Sequence, residues 1–209
     1  MGNGSHDETP INPHFYELSN TLGPRYTNRS CVGCHRKNGR ALAGPAGTPL
    51  DKYSVFVGDS AGNPHPDLGR VFQAHSLNNS SEGTAILSSW TENDGLRSPN
   101  YAFSDVSPTN FSARIAPQLV GMGLLEAIDE ATLENLADPD DADGDGISGK
   151  LRIVNDPITG EPRVGRFGWK ASEASVLHQV TQAFNTDMGV TSSVRPDPDC
   201  GSNQSGCGA

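Results

Sequence analysis

The chain has 209 residues with 25 acidic against 15 basic side chains, and its formal charge of −10 argues against nucleic acid or an anionic membrane as partner, since both require positive surface. A hydrophobic fraction of 34%, an aromatic fraction of 6%, 24 Gly and 15 Pro describe short elements joined by many loops rather than a large self-sufficient core. No window reaches the apolar length of a membrane helix.

Residues 1–26 read as a polar lead-in. The start Met1-Gly-Asn-Gly-Ser-His-Asp-Glu8 lacks the apolar stretch of a signal peptide, and the end Gly-Cys-Gly-Ala209 is abrupt, so truncation at both ends is expected. The run Cys31-Val-Gly-Cys34-His35 follows, the shortest pattern that tethers a c-type haem. Two thiols about one helical turn apart form thioethers with the two vinyl groups, and the next histidine offers its imidazole to the iron. A zinc site would need a second tight pair, whereas Cys200 and Cys207 are distant and widely spaced. A redox dithiol would follow a buried strand, and the polar flank Gly23–Ser30 does not read as one. Arg25, Arg29, Arg36, Lys37 and Arg40 bracket the motif, either holding haem propionates or standing as solvated surface.

From Ala41 to Pro108 the composition predicts irregular structure with a small sheet. Strands are expected at Tyr53–Val57 and Thr84–Trp90, with a turn at Glu92–Gly95 and a pairing segment at Tyr101–Val106. Pro117 opens a predicted helix whose apolar face runs through Leu119, Val120, Leu124 and Leu125 to Ile128, weakened by Gly121 and Gly123. Glu130–Ala137 reads as a short helix, and Val164–Trp169 pairs with Leu151–Val154 across Thr159-Gly160. Ser172 caps the strongest predicted helix, with Val176, Leu177, Val180, Ala183 and Phe184 on its apolar face, ending before Asp187-Met188-Gly189.

Asp141-Ala-Asp143-Gly-Asp145-Gly146 matches the first half of an EF-hand-type loop, where alternate carboxylates converge on a hard cation. The twelfth position is Arg152 instead of glutamate, which excludes a true EF-hand. A calcium ion held by Asp141, Asp143, Asp145 and the Ile147 carbonyl, completed by Asn155 or Asp156, stands beside the alternative of an acidic solvated turn.

His35 is the expected proximal iron ligand. For the opposite side a methionine raises the haem potential and suits electron transfer. Met188 is the first choice and Met122 the second among three methionines, core packing being the alternative for each. His14, His65, His75 and His178 are further candidates. An open sixth position would point to peroxide chemistry, with Glu126 assisting proton transfer unless it merely faces solvent or pairs with Arg114.

Together these segments resemble the di-haem oxidoreductase, putative peroxidase family, also labelled thiol oxidoreductase-like. The resemblance rests on Leu22-Gly-Pro-Arg-Tyr-Thr-Asn-Arg-Ser-Cys-Val-Gly-Cys-His35, Ala116–Ile128, Ala137–Gly149, Gly165-Arg-Phe-Gly-Trp-Lys-Ala171 and Ala183–Val190. It implies an extracytoplasmic bacterial protein, periplasmic or extracellular, with two haem units. Only one C-x-x-C-H is present, so the chain reads as the N-terminal portion of such a protein, whose partners are the missing C-terminal haem unit and a basic redox protein. Electron transfer within a peroxidase-like oxidoreductase is the expected function; a non-catalytic electron-transfer or docking module and a calcium-stabilised extracellular binding protein are the alternatives. The expected fold is mainly α, a cytochrome-c-like haem unit with extensive loops. It would occupy residues 27–209, with a small β insertion at about 50–110 and a helical second half at about 115–190.

Overall fold

The computed structural model describes residues 22–77, 81–205 and 207. Most of the lead-in, including Met1 and His14, lies outside the described residues. In chain order the elements are β1 (Arg25–Tyr26), α1 (Cys31–Cys34), β2 (Thr48–Pro49), β3 (Tyr53–Gly58), β4 (His75–Ser76), β5 (Ala85–Asn93), β6 (Leu96–Phe103) and β7 (Asn110–Ile115). They continue with α2 (Met122–Glu126), α3 (Glu130–Asn135), β8 (Ile153–Asn155), β9 (Pro162–Val164) and α4 (Val176–Met188).

Strict alternation shapes the centre of the molecule. In β3, Tyr53, Val55 and Val57 turn inward while their neighbours are half-buried, and the strand pairs antiparallel with β7 from Tyr53↔Ile115 to Gly58↔Asn110. Asp94 at φ 50° and Gly95 at φ 77° supply the left-handed pair a tight hairpin needs, and β5 and β6 zip together on either side. The edge strand β2 completes that sheet in the order β2-β5-β6. Between the sheets lies a core of Leu50, Tyr53, Val55, Val57, Leu68, Phe72, Ala85 and Leu87, extended by edge-to-face packing of Phe103 on Phe72 and Phe111.

The expectation of a mainly α, cytochrome-c-like fold is overturned. Nine strands in four small sheets outnumber four helices among the described residues, and three of those helices have six residues or fewer. The region expected as a small insertion holds the core itself. The helix predicted from Pro117 shrinks to Met122–Glu126 because Gly121 adopts φ 80° and ends any helical path before it.

The strongest helix appears where expected but faces the other way. Ser175, not Ser172, caps α4 by accepting the His178 N–H, and Gly189 at φ 66° closes it. Its buried side is polar, formed by His178, Thr181, Gln182, Asn185 and Thr186, while Leu177, Val180 and Phe184 are exposed. Hydrogen bonds explain the inversion: Asn185 Nδ2 donates to the Asp197 carbonyl, and Gln73 Nε2 donates to that of Thr186. A disulfide joins Cys200 and Cys207, closing a loop whose Asn203 N–H donates to the Pro66 carbonyl.

Candidate functional site

Three segments meet at the cysteine motif. Residues Thr27 and Asn28, just before it, donate their N–H groups to the Asp187 carbonyl at the end of α4. Gly23 and Gly189 pass so closely that a Cβ on Gly23 would lie 1.9 Å from the Gly189 carbonyl oxygen, which is why both positions lack a side chain. Residues just after the motif run along the segment leading into α2, with Ala41 N–H bonded to the Ala116 carbonyl and Leu119 N–H to that of Asn38.

Within this frame α1 is a single turn, closed by the His35 N–H on the Cys31 carbonyl at 2.8 Å. Gly33 sits against the Asn28 side chain, where an added Cβ would fall 2.3 Å from Oδ1. Cys31 is exposed, Cys34 is half-buried, and both are free thiols. Burial, then the carboxylates of Asp187 and Asp51, push the Cys34 thiol up to about 11. Held protonated, Cys34 is itself a poor attacking group.

The His35 ring is oriented from a distance. Its Nδ1 lies 2.6 Å from the Pro117 carbonyl oxygen, which only accepts, so Nδ1 carries the proton and Nε2 keeps its lone pair. Of the methionines, Met188 is half-buried at the end of α4, its carbonyl accepting from Gly23 N–H. Helical spacing sets it on the same stripe as Leu177, Val180 and Phe184. Met122, half-buried, begins α2.

The other predicted ligands are placed elsewhere. His178 is buried inside the fold, its Nδ1 3.3 Å from the Ala174 backbone nitrogen and its Nε2 3.2 Å from the Arg195 guanidinium. His75 stacks on Tyr26, and His65 Nδ1 accepts from the Asp67 N–H. Glu126 accepts the Val176 N–H at 2.8 Å and so ties α2 to the start of α4, while Arg114 lies over the Phe56 ring. Of the cations around the motif, Arg25 reaches Glu82, Arg29 covers Tyr26, and Arg40 lies over Trp169.

The donor set and its surroundings fit a covalently attached haem. Two unpaired thiols, an imidazole with Nε2 available, and uncovered apolar side chains stand on the elements packed around the motif. Val32 in α1, Val120 just before α2, Leu124 within it, and Leu177, Val180 and Phe184 on α4 are all exposed, with Leu124 at 79%. These are side chains that a haem macrocycle would cover.

In the acidic loop the structure gathers Asp138, Asp141 and Asp143, whose nearest carboxylate oxygens all lie within 4.8 Å of one another. Asp138 escaped sequence reasoning because it falls outside the D-x-D-x-D spacing. Asp145 Oδ1 accepts from the Ile147 N–H, and Asp141 Oδ1 from the Gly146 N–H.

Comparison with protein families matches residues 96–204 to the family described as di-haem oxidoreductase, putative peroxidase. The matched stretch covers just over half of the chain and contains the segments at 116–128, 137–149, 165–171 and 183–190, while Cys31–His35 precedes it. No curated protein and no solved structure matches the chain.

Proposed function

The chain belongs to the di-haem oxidoreductase, putative peroxidase family, whose cofactor is haem, and from that premise we propose that Cys31, Cys34 and His35 hold a c-type haem used for electron transfer. The observation that carries this reading is the bond from His35 Nδ1 to the Pro117 carbonyl, which leaves Nε2 as the only ring atom able to bind iron. Cys31 and Cys34 supply the thioether sulfurs. The carbonyl of Pro117 holds the imidazole plane and increases the electron density at Nε2. Met188 would supply a second ligand to the iron, and Leu177, Val180 and Phe184 on the same stripe would offer the macrocycle apolar contact. When bound, the haem supplies an iron that gains or loses one electron.

The wider reading is that of an oxidoreductase working with a redox partner protein and a second haem unit, in the bacterial periplasm or outside the cell. No helix among the described residues is long and apolar enough to cross a membrane. Calcium is proposed for the acidic loop, held by Asp138, Asp141 and Asp143 with help from Asp145 and the Ile147 carbonyl, in a structural role between α3 and β8.

The test is the oxidised and reduced absorption spectrum of protein made with the c-haem maturation machinery. A low-spin spectrum with the weak far-red sulfur-to-iron band, lost in Met188→Ala, supports electron transfer with methionine ligation. A high-spin spectrum turns the reading towards peroxide chemistry. Absence of covalent haem rejects it.

A further inference from the structure

Three consecutive backbone carbonyls, at Ile115, Ala116 and Pro117, accept hydrogen bonds from three different parts of the site. Pro117 takes the His35 ring at 2.6 Å, Ala116 takes the Ala41 N–H at 3.0 Å, and Ile115 takes the Trp169 indole N–H at 2.7 Å. A continuous chain of covalent and hydrogen bonds therefore runs from the imidazole to an indole that is 52% exposed. The guanidinium of Arg40 lies 5.4 Å above that indole. Lys170 is next in sequence and exposed, and exposed Arg152 anchors its Nη1 on the Lys170 carbonyl at 3.1 Å. Exposed Arg36 and Lys37 flank the other side of Arg40 in sequence. Among the described residues no carboxylate forms an ion pair with any of these five cations. On a chain of net charge −10, Arg40, Arg152 and Lys170 beside a half-exposed tryptophan, with Arg36 and Lys37 close in sequence, stand against the general field.

We propose that the face formed by Arg36, Lys37, Arg40, Arg152, Trp169 and Lys170 docks an acidic surface of a one-electron carrier protein, with Trp169 as the contact nearest the haem path. Local charge thus replaces overall charge as the guide, since overall charge alone suggests a basic partner. The proposal rests on His35 binding haem iron. One electron passes from the carrier's reduced centre to the oxidised iron, or in the reverse direction, and no bond forms or breaks. Positive side chains steer the acidic carrier, the indole supplies a flat desolvated contact, and the three carbonyls couple that contact to the ligand.

The experiment uses the haem-loaded chain and two small reductants of opposite charge, anionic iron(II)–EDTA and cationic hexaammineruthenium(II), followed by stopped flow from low to high salt. The rate with iron(II)–EDTA is expected to fall with added salt despite the net charge of the chain. In the double variant Arg40→Glu, Lys170→Glu it should drop about tenfold at low salt, while the ruthenium rate rises. Arg97→Glu, on the β5–β6 hairpin, should change neither rate more than about twofold. The spectrum and midpoint potential should stay unchanged throughout. Iron(II)–EDTA rates that rise with salt and ignore the double variant would overturn the docking face. So would equal changes with both reagents accompanied by a shifted potential, because Arg40 would then be holding a haem propionate. Wild-type protein without covalent haem would overturn the haem reading, and this proposal with it.

Discussion

His35 and Pro117 stand 82 residues apart in sequence, yet the ring Nδ1 of one lies 2.6 Å from the carbonyl oxygen of the other. That single bond connects the cysteine motif to the segment entering α2 and fixes which nitrogen is presented outward. It also explains why a proline is suited to position 117. Proline has no N–H to compete for partners, and its locked φ sets the direction of the chain that carries the carbonyl.

The bond makes a direct prediction. Pro117→Gly keeps the carbonyl but frees the backbone, so it should destabilise the fold by about 1 kcal/mol and weaken the hold on the imidazole. Nitrogen-15 NMR of labelled histidine should show His35 protonated at Nδ1 in the parent protein. The same spectra of the variant should show tautomer exchange, and in haem-loaded protein the reduction potential should rise as the ligand loses electron density. A parent His35 protonated at Nε2 would remove the structural basis for iron binding.

How far the sequence foretold this arrangement depends on which atoms carry the information. The β5–β6 hairpin was legible because Asp94-Gly95 is a local turn signal, while α4, expected to end before Asp187, runs on to Met188 and is closed by Gly189. The buried side of α4 was not legible, because its polar residues are satisfied by distant groups such as Asp197 and Gln73 that no local window contains. Pro117 was read only as a helix start, and its bond to His35 escaped notice for a related reason: that part is played by a backbone carbonyl, which leaves no side-chain signature. The mainly α expectation failed where cytochrome-like helices were extrapolated from a four-residue turn at Cys31–Cys34.

Stability should fall as pH rises through the mildly acidic range. Burial pushes the Glu82 carboxyl up to about 7, although Gln73 N–H, Gln204 Nε2 and Arg25 all favour its charged form. Burial likewise pushes Asp199 up to about 6. In the unfolded chain both groups lose their protons near pH 4, so between roughly pH 4 and 7 the folded state binds more protons than the unfolded state. Their contribution is complete below that window and lost above it, at about 1.4 kcal/mol for each tenfold difference in proton affinity. His178 opposes this on the acid side, since burial and Arg195 disfavour its charged form. Two raised carboxyls outweigh the one histidine, so urea midpoints should decline from about pH 4 to 7 and level off above it. Glu82→Gln should flatten the decline above pH 5; an unchanged slope would assign the effect elsewhere.

The Cys200–Cys207 disulfide holds a loop that does more than close on itself. Asn203 bonds Pro66 and Asp67, Gln204 bonds Glu82, and Asp199 accepts from the N–H groups of Arg70 and Val71. Chain entropy for so short a loop predicts about 2.5 kcal/mol of stabilisation. Reduction, or a Cys200→Ala, Cys207→Ala double variant, should lower the urea stability by that amount. It should also increase amide exchange at Arg70 and Val71, whose acceptor is the carboxylate beside Cys200. Loss of stability without increased exchange at those two amides would mean that the loop stays seated and the disulfide acts only on the unfolded chain.

The acidic loop gives the last and simplest prediction. Bringing Asp138, Asp141 and Asp143 within 4.8 Å of one another concentrates negative charge that water and salt screen only partly. A hard divalent cation relieves that repulsion and takes its remaining ligands from carbonyls and water, which suits calcium better than the smaller, strictly octahedral magnesium. At millimolar calcium the melting temperature should rise, following the mass-action form in which a hundredfold excess over Kd contributes about 2.7 kcal/mol. Magnesium at equal concentration should do less. Asp138→Asn is the informative variant, because the D-x-D-x-D pattern omits that residue and the folded loop includes it. It should weaken calcium binding about tenfold or more by calorimetry while leaving the calcium-free melting temperature unchanged or slightly higher. Equal responses to calcium, magnesium and sodium at matched ionic strength would show an acidic turn that is merely screened.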